Sequence, residues 1–335
     1  MKQPRPITRA LGATLAALTL AAIGPAALAA EAVVYTSNNV QTVDVAVDVI
    51  KKRAPGLTVQ KVASGTGALM KRIEAESANP LGDVVWGAGF DTLAAFKQNF
   101  QPYKSAETKG LDAALVGAGD LWAASNLHVM VIMVNDKQLK GNPAPKTWAD
   151  LMSPAWKGKV VMGDPVSSGS AYGQVYGLYR LLGEDGLRKL AANVIVSKSS
   201  AQVYRGVADG EYPVGITMEY AAYSYVAGGQ KDVKLVYPAD GTFVQPEAVA
   251  IIKKPKNGNQ AAQQLYDQLL SREVQEAELV DNFRRPSRAD IDVAKLTRLP
   301  NLKDIKIFPT DPLAGAADYD KVIKLWENAL KQGAK

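Results

Sequence analysis

The chain has 335 residues, 47% of them hydrophobic, with 39 Lys and Arg against 33 Asp and Glu and a net charge of +6. It holds one histidine and no cysteine, which excludes disulfides, thiolate catalysis and cysteine-bound metals. The positive excess is mild and no basic run is interleaved with aromatics, so nucleic acid is not an expected partner.

In chain order, residues 1–29 read as an export signal. Lys2, Arg5 and Arg9 form a positive start, Leu11 to Ile23 an apolar core, and Ala27-Leu28-Ala29 a small-x-small cleavage site. Gly24-Pro25 breaks the apolar run, which is short for a membrane span, and no later segment reaches membrane length. Losing the three basic residues of this leader takes the net charge from +6 to +3. A soluble, exported protein without membrane insertion is expected. The remaining length is enough to bury a large core and suggests two domains.

Strand-like and helix-like stretches then alternate. Ala32 to Tyr35 predicts a strand ending at Thr36-Ser37-Asn38-Asn39, followed by a helix over about Gln41 to Arg53 with Val43, Ala46, Val47 and Ile50 on one face. Pro55-Gly56 stops it. A strand at Thr58 to Val62 leads into Ser64-Gly65-Thr66-Gly67 and a helix from Leu69 to Ser77. Asp83 to Gly87 is a third strand and Asp91 to Gln98 a third helix. Leu127 to Val134 and Thr242 to Ile252 are apolar strands suited to crossing between two lobes. Between them, Lys159 to Met162 leads into a second turn, Ser167-Ser168-Gly169-Ser170, and a helix over Tyr172 to Leu182. Ser199-Ser200 opens another helical run, Gln202 to Ala208. Helices at Gln260 to Leu270 and Asp318 to Gln332 complete the set. The repeated strand-helix order predicts mainly parallel sheets, whose ligands bind beyond the carboxyl ends of the strands.

The matched serine/glycine turns are the most informative feature. A helix start leaves about four N–H groups unpaired and carries partial positive charge. Hydroxyl residues cap it, and glycine lets a ligand approach. Two such ends facing across a cleft make a site for a small anion. The competing reading is two ordinary N-caps.

The chain resembles the solute-binding proteins of bacterial ABC importers, in the group that includes ferric-iron, hexose-phosphate and aminoethylphosphonate binders. The resemblance rests on Pro145 to Leu151 (PKTWADL), Lys157 to Val160 (KGKV), Asp164 to Tyr172 (DPVSSGSAY), Val207 to Gly215 (VADGEYPVG) and Phe283 to Arg288 (FRRPSR), in that order behind an export signal. It implies a periplasmic α/β protein of the type II periplasmic-binding fold, each lobe a mainly parallel sheet flanked by helices and hinged by crossing strands. The lobes would comprise residues 30–127 plus 249–287 and 128–248 plus 288–335. It also implies a cleft ligand and docking onto an inner-membrane permease, with a monomer as the default state.

Iron binders of this group use adjacent tyrosines, often with a histidine near the first strand. Here the corresponding region reads Thr217-Met218-Glu219-Tyr220, and Thr36 to Asn39 contains no histidine. The expected ligand is therefore a small anionic solute, a phosphorylated sugar or an aminophosphonate. Its site would be drawn from Ser37, Asn38, Ser64, Gly65, Thr66, Ser168, Gly169, Ser170, Ser200, Glu219 and Tyr220, with Glu219 reading hydroxyls or an ammonium group. No cofactor, metal or catalytic residue is expected. Ferric iron held by tyrosine and glutamate is the first alternative, an exported phosphate-ester hydrolase the second. His128 reads as a packed or hinge residue. Arg284, Arg285 and Arg288 fit phosphate ligands, a solvated basic patch or permease contacts alike. Trp86, Trp148, Tyr172 and Tyr176 read as core.

Overall fold

The computed structural model describes Met1, residues 30–255 and residues 259–333. The expected export signal thus falls outside the described residues, Met1 apart. The first half builds strand β1 (Ala30–Thr36), helix α1 (Val40–Arg53), β2 (Leu57–Ala63), α2 (Thr66–Ala75), β3 (Val84–Gly89), α3 (Phe90–Ala95) and a short β4 (Phe100–Gln101). Strand β5 (Ala123–Asn135) crosses into β6 (Val160–Gly163), α4 (Gly169–Ala191), β7 (Val194–Ser197), α5 (Ser200–Ala208), β8 (Val214–Met218), α6 (Glu219–Ala227) and β9 (Val233–Val236). Strand β10 (Val244–Ile252) returns to α7 (Gln260–Leu270) and α8 (Arg272–Asn282). After β11 (Arg285–Pro286) and α9 (Val293–Leu296), α10 (Pro312–Ala317) and α11 (Tyr319–Gly333) end the described chain.

The strand order is β2-β1-β3-β10-β5-β8-β6-β7. Strands β1, β2 and β3 are parallel, as are β6, β7 and β8. The two long crossing strands pair antiparallel with each other and with their flanking neighbours. All of β5 except Leu127 is buried, as a strand covered on both faces must be. Each lobe is a sheet with an apolar core on either side. In the first, Val43, Ala46 and Ile50 of α1 and Leu265 and Tyr266 of α7 pack on one face. Leu69, Met70 and Ile73 of α2 and Leu93 of α3 pack on the other. In the second, Tyr172 and Val175 of α4 pack with Val322 and Trp326 of α11, while Val203 and Val207 of α5 cover the opposite face.

Local chemistry places the helix starts. Asn39 accepts from the Thr42 N–H at 2.9 Å, Ser168 from Ala171 at 3.4 Å, and Ser199 from Ala201 at 3.3 Å. Some elements differ from the sequence reading. Helix α4 starts at Gly169 rather than Tyr172 and runs past Leu182 through a kink at Gly183, whose φ of +70° suits glycine. Helix α8 has no apolar stripe of its own. It follows α7 after Ser271 alone, whose side chain accepts from the Val274 N–H. The edge strands β9 and β11 are too short to show a period. The chain after Arg288 packs on both halves. Ile291 and Leu299 join Leu279 of α8, and Gly315 of α10 lies against Tyr176 and Asp91.

Candidate functional site

The carboxyl ends of the parallel strands of both lobes open on one cavity of about 390 Å³. Strand β1 delivers Ser37 and Asn38, β2 delivers Ser64, Gly65 and Thr66, and β3 contributes Gly87 and Gly89. From the other lobe, β6 leads to Ser168 and Ser170, β7 to Ser199 and Ser200, and β8 to Tyr220. The starts of α2, α4 and α5 therefore share one space.

The two serine/glycine turns touch. A Cβ on Gly65 would come within 2.8 Å of the Ser167 carbonyl, and one on Gly67 would collide with the Val166 carbonyl. Gly169 does not line the cavity; it abuts Thr66, and its Cβ would lie 3.4 Å from the Thr66 methyl. Glycine is what lets the halves meet here. Ser168 Oγ lies 3.0 Å from Ser170 Oγ and 2.8 Å from Ser200 Oγ, so three hydroxyls from two helix starts form one cluster. Lys198, exposed at the rim, also lines the cavity.

Opposite this donor-rich wall stands a charged group from the crossing strands. His128 of β5 faces Gln245 of β10, which puts Glu247 on the same face one diagonal step away. Glu247 Oε2 contacts the His128 imidazole and accepts from Arg284 Nη1 at 3.0 Å. The Arg284 guanidinium lies 4.3 Å from the Tyr220 ring centroid. Burial would raise the Glu247 carboxyl, yet His128 and Arg284 beside it pull it down to about 2. Burial works against the Arg284 charge, but Tyr220, Glu247 and Glu278 raise its pKa above the ordinary value. Behind it, burial pushes the Glu278 carboxyl up to about 8.

Glu247 Oε1 and Asn38 Nδ2 are buried and find no hydrogen-bond partner among the described residues. Both converge on Gly87, whose φ is +108°. A Cβ there would lie 2.9 Å from Ser37 Oγ, 3.0 Å from Asn38 Nδ2 and 3.1 Å from Glu247 Oε1. An orphaned acceptor and an orphaned donor at one cavity wall are costly unless something else bonds them.

Of the residues expected from sequence, Ser37, Asn38, Ser64, Gly65, Thr66, Ser168, Ser170, Ser200 and Tyr220 line the cavity. Glu219 does not, and the expectation that it faces the cleft is corrected. It opens α6 at 2% exposure, accepts from Arg285 Nε at 2.5 Å and Nη2 at 2.9 Å, and takes the Tyr237 hydroxyl. Its chemistry is spent internally. Glu247, which sequence reading passed over inside an apolar strand, presents the carboxylate instead. His128 is buried but not inert packing, since it lines the cavity. The arginines separate: Arg284 joins the cavity, Arg285 neutralises Glu219, and Arg288 pairs with Glu107 at 2.7 Å and Asp290 at 2.9 Å. None is a solvated patch. Trp86, Trp148, Tyr172 and Tyr176 are buried, as expected.

Comparison with known proteins agrees with this architecture. Residues 79–312 match the family described as bacterial extracellular solute-binding protein. An uncharacterized protein of Haemophilus influenzae is 31% identical over 64% of this chain and 66% of its own length. A probable ABC transporter periplasmic-binding protein of Sinorhizobium fredii is 26% identical over 60% of this chain, which spans 59% of that relative. A putative 2-aminoethylphosphonate-binding periplasmic protein of Salmonella typhi is 25% identical over 71% of this chain and 72% of its own. Among solved structures, the periplasmic binding protein AfuA of Actinobacillus pleuropneumoniae, with exogenous fructose-6-phosphate bound, superposes with a TM-score of 0.83. It is 24% identical, over 90% of this chain and 99% of that one. Iron-bound HitA of Pseudomonas aeruginosa gives 0.77 at 21% identity, over 90% of this chain and 99% of that one. At these identities the likeness is one of fold.

Proposed function

The chain belongs to the bacterial extracellular solute-binding proteins, and from that premise we propose that it captures a small phosphorylated organic solute between its lobes. In this reading it is the periplasmic component of an ABC importer and delivers the solute to an inner-membrane permease, binding without turnover. The phosphoryl group sits at the starts of α2, α4 and α5, held by backbone N–H groups and the hydroxyls of Thr66, Ser168, Ser170 and Ser200. Each bond to a charged oxygen contributes on the order of 1.5–3 kcal/mol. A handful exceeds the roughly 8 kcal/mol of micromolar affinity before the costs of closure. The organic end meets Asn38 and Glu247. A ligand touching both walls favours the closed arrangement and shifts the open-closed equilibrium toward it.

The observation that carries this reading is the pairing of the two walls: touching helix starts on one side, the unpartnered Glu247 Oε1 and Asn38 Nδ2 on the other. Its relatives and structural neighbours include a putative 2-aminoethylphosphonate-binding protein and one solved with fructose-6-phosphate bound, in keeping with it. The clamp favours hydroxyls over an ammonium group. Glu247 is already matched by Arg284 and His128, and Lys198 stands at the rim, so a further cation has no unmatched anion to meet. Tyr204 and Tyr220 both line the cavity, but the phenols suit ferric iron poorly. Burial raises the Tyr220 phenol and Arg284 covers its ring, while Tyr223 packs on Phe283 and Tyr225 on Tyr204.

Thermal melting of ligand-stripped protein tests the proposal. Hexose 6-phosphates raise the melting temperature in a concentration-dependent way, and 2-aminoethylphosphonate and inorganic phosphate do so less. Stabilisation by ferric citrate alone, with a visible phenolate band, contradicts it.

A further inference from the structure

A second cavity, of about 200 Å³, borders the first and shares Asn39, Tyr204 and Tyr220 with it. Its walls again come from both halves: Asp281 and Asn282 close α8, while Arg205 of α5 and Ser224 and Tyr225 of α6 face them. We propose that this annex is a subsite for a second sugar unit, so that the preferred solute is a phosphorylated disaccharide; the inference rests on the reading of the main cavity given above.

Three observations carry it. The first is the aromatic wall. Tyr204 and Tyr225 stand with ring centroids 6.3 Å apart and planes tilted by 52°. That is an angled apolar corner, not a slot between parallel faces. A sugar, with apolar C–H faces and a polar rim, fits such a corner better than a flat base does. Tyrosine supplies apolar area together with a hydroxyl handle.

The second is unspent polar chemistry. Asn282 Nδ2 is buried and has no hydrogen-bond partner among the described residues. Arg205 and Asp281 are exposed, and neither has an ion-pair partner among the described residues although they line one cavity from opposite lobes. Together they offer donors and an acceptor without a net charge that would select an ion.

The third is size. A volume of 200 Å³ equals the share of about seven liquid waters, more than a phosphate or a simple alcohol fills. The main cavity, at about 390 Å³, lies toward the small end of ligand sites, so a second unit has its room in the annex.

Isothermal titration of the mature protein with glucose 6-phosphate and trehalose 6-phosphate tests the assignment. The disaccharide phosphate is expected to bind about tenfold tighter, the effect of one or two added hydrogen bonds. In the double variant Arg205→Ala with Asn282→Ala, that advantage disappears while glucose 6-phosphate affinity and melting temperature stay unchanged. Equal affinities, or tighter binding of the monosaccharide, overturn the annex and leave the main site standing. An advantage that survives in the double variant also overturns the assignment. Failure of both ligands overturns the main-site reading and the annex with it.

Discussion

At the scale of single residues, the outcome turns on which carboxylate is free. Glu219 opens α6 just after β8, and Glu247 lies inside β10; both are buried. One is held by a bidentate Arg285 and a tyrosine hydroxyl; the other keeps one oxygen open. Sequence could not separate them, because the arginine partner of each lies more than 35 positions away in the chain. Glu247→Gln keeps the shape but replaces the acceptor pair, and should weaken hexose 6-phosphate binding about ten- to a hundredfold in titration while leaving inorganic phosphate unchanged. Equal losses for both ligands would show that Glu247 does not read the organic part. Arg285→Ala, by contrast, strands a buried Glu219 charge. It should cost about 3–5 kcal/mol in denaturant unfolding, with ligand affinity retained in the folded fraction. A loss of affinity without a loss of stability would put Arg285 in the site.

At the scale of elements, the serine/glycine turns were legible because their signal is local. A hydroxyl residue before a helical period marks a start, and glycine marks a close approach. The structure adds which approach it is: backbone of one lobe against backbone of the other, with Gly65 against Ser167 and Gly67 against Val166. Gly67→Ala should therefore hold the turns apart. Small-angle scattering in saturating hexose phosphate would show the wild type more compact than the variant, and affinity should fall at least tenfold. A variant that closes as the wild type does would refute the contact. The helices α1 and α7 were readable from their apolar faces, whereas α8 was not. Its buried residues include Gln275, which accepts from the Ser287 N–H at 2.9 Å, and Glu278, and no apolar periodicity marks either.

At the scale of the whole molecule, the two-lobed order followed from alternating strands and helices, while the buried charge between the lobes did not. That charge makes stability depend on pH in a definite direction. Burial pushes Asp91 up to about 6 and Glu278 up to about 8, so the folded state holds protons that the unfolded chain releases near pH 4. Their contribution is full below pH 4 and is lost as pH rises through 6 and then 8. Glu247, held down to about 2, works the other way: its contribution is full above about pH 4.5 and lost as pH falls toward 2. Chemical denaturation across pH 4 to 9 should show a decline that Glu278→Gln flattens above pH 6; an unchanged slope in that variant would contradict the assignment. The central claim, that the touching helix starts hold a phosphoryl group, is tested most directly at Ser170. A negative residue in the first turn suits the helix dipole, so Ser170→Glu should leave the melting temperature near that of the wild type while repelling an anionic ligand. Isothermal titration with a hexose 6-phosphate should show micromolar or tighter binding by the wild type and none by the variant. Binding of equal strength in both would mean that the paired turns are only helix caps.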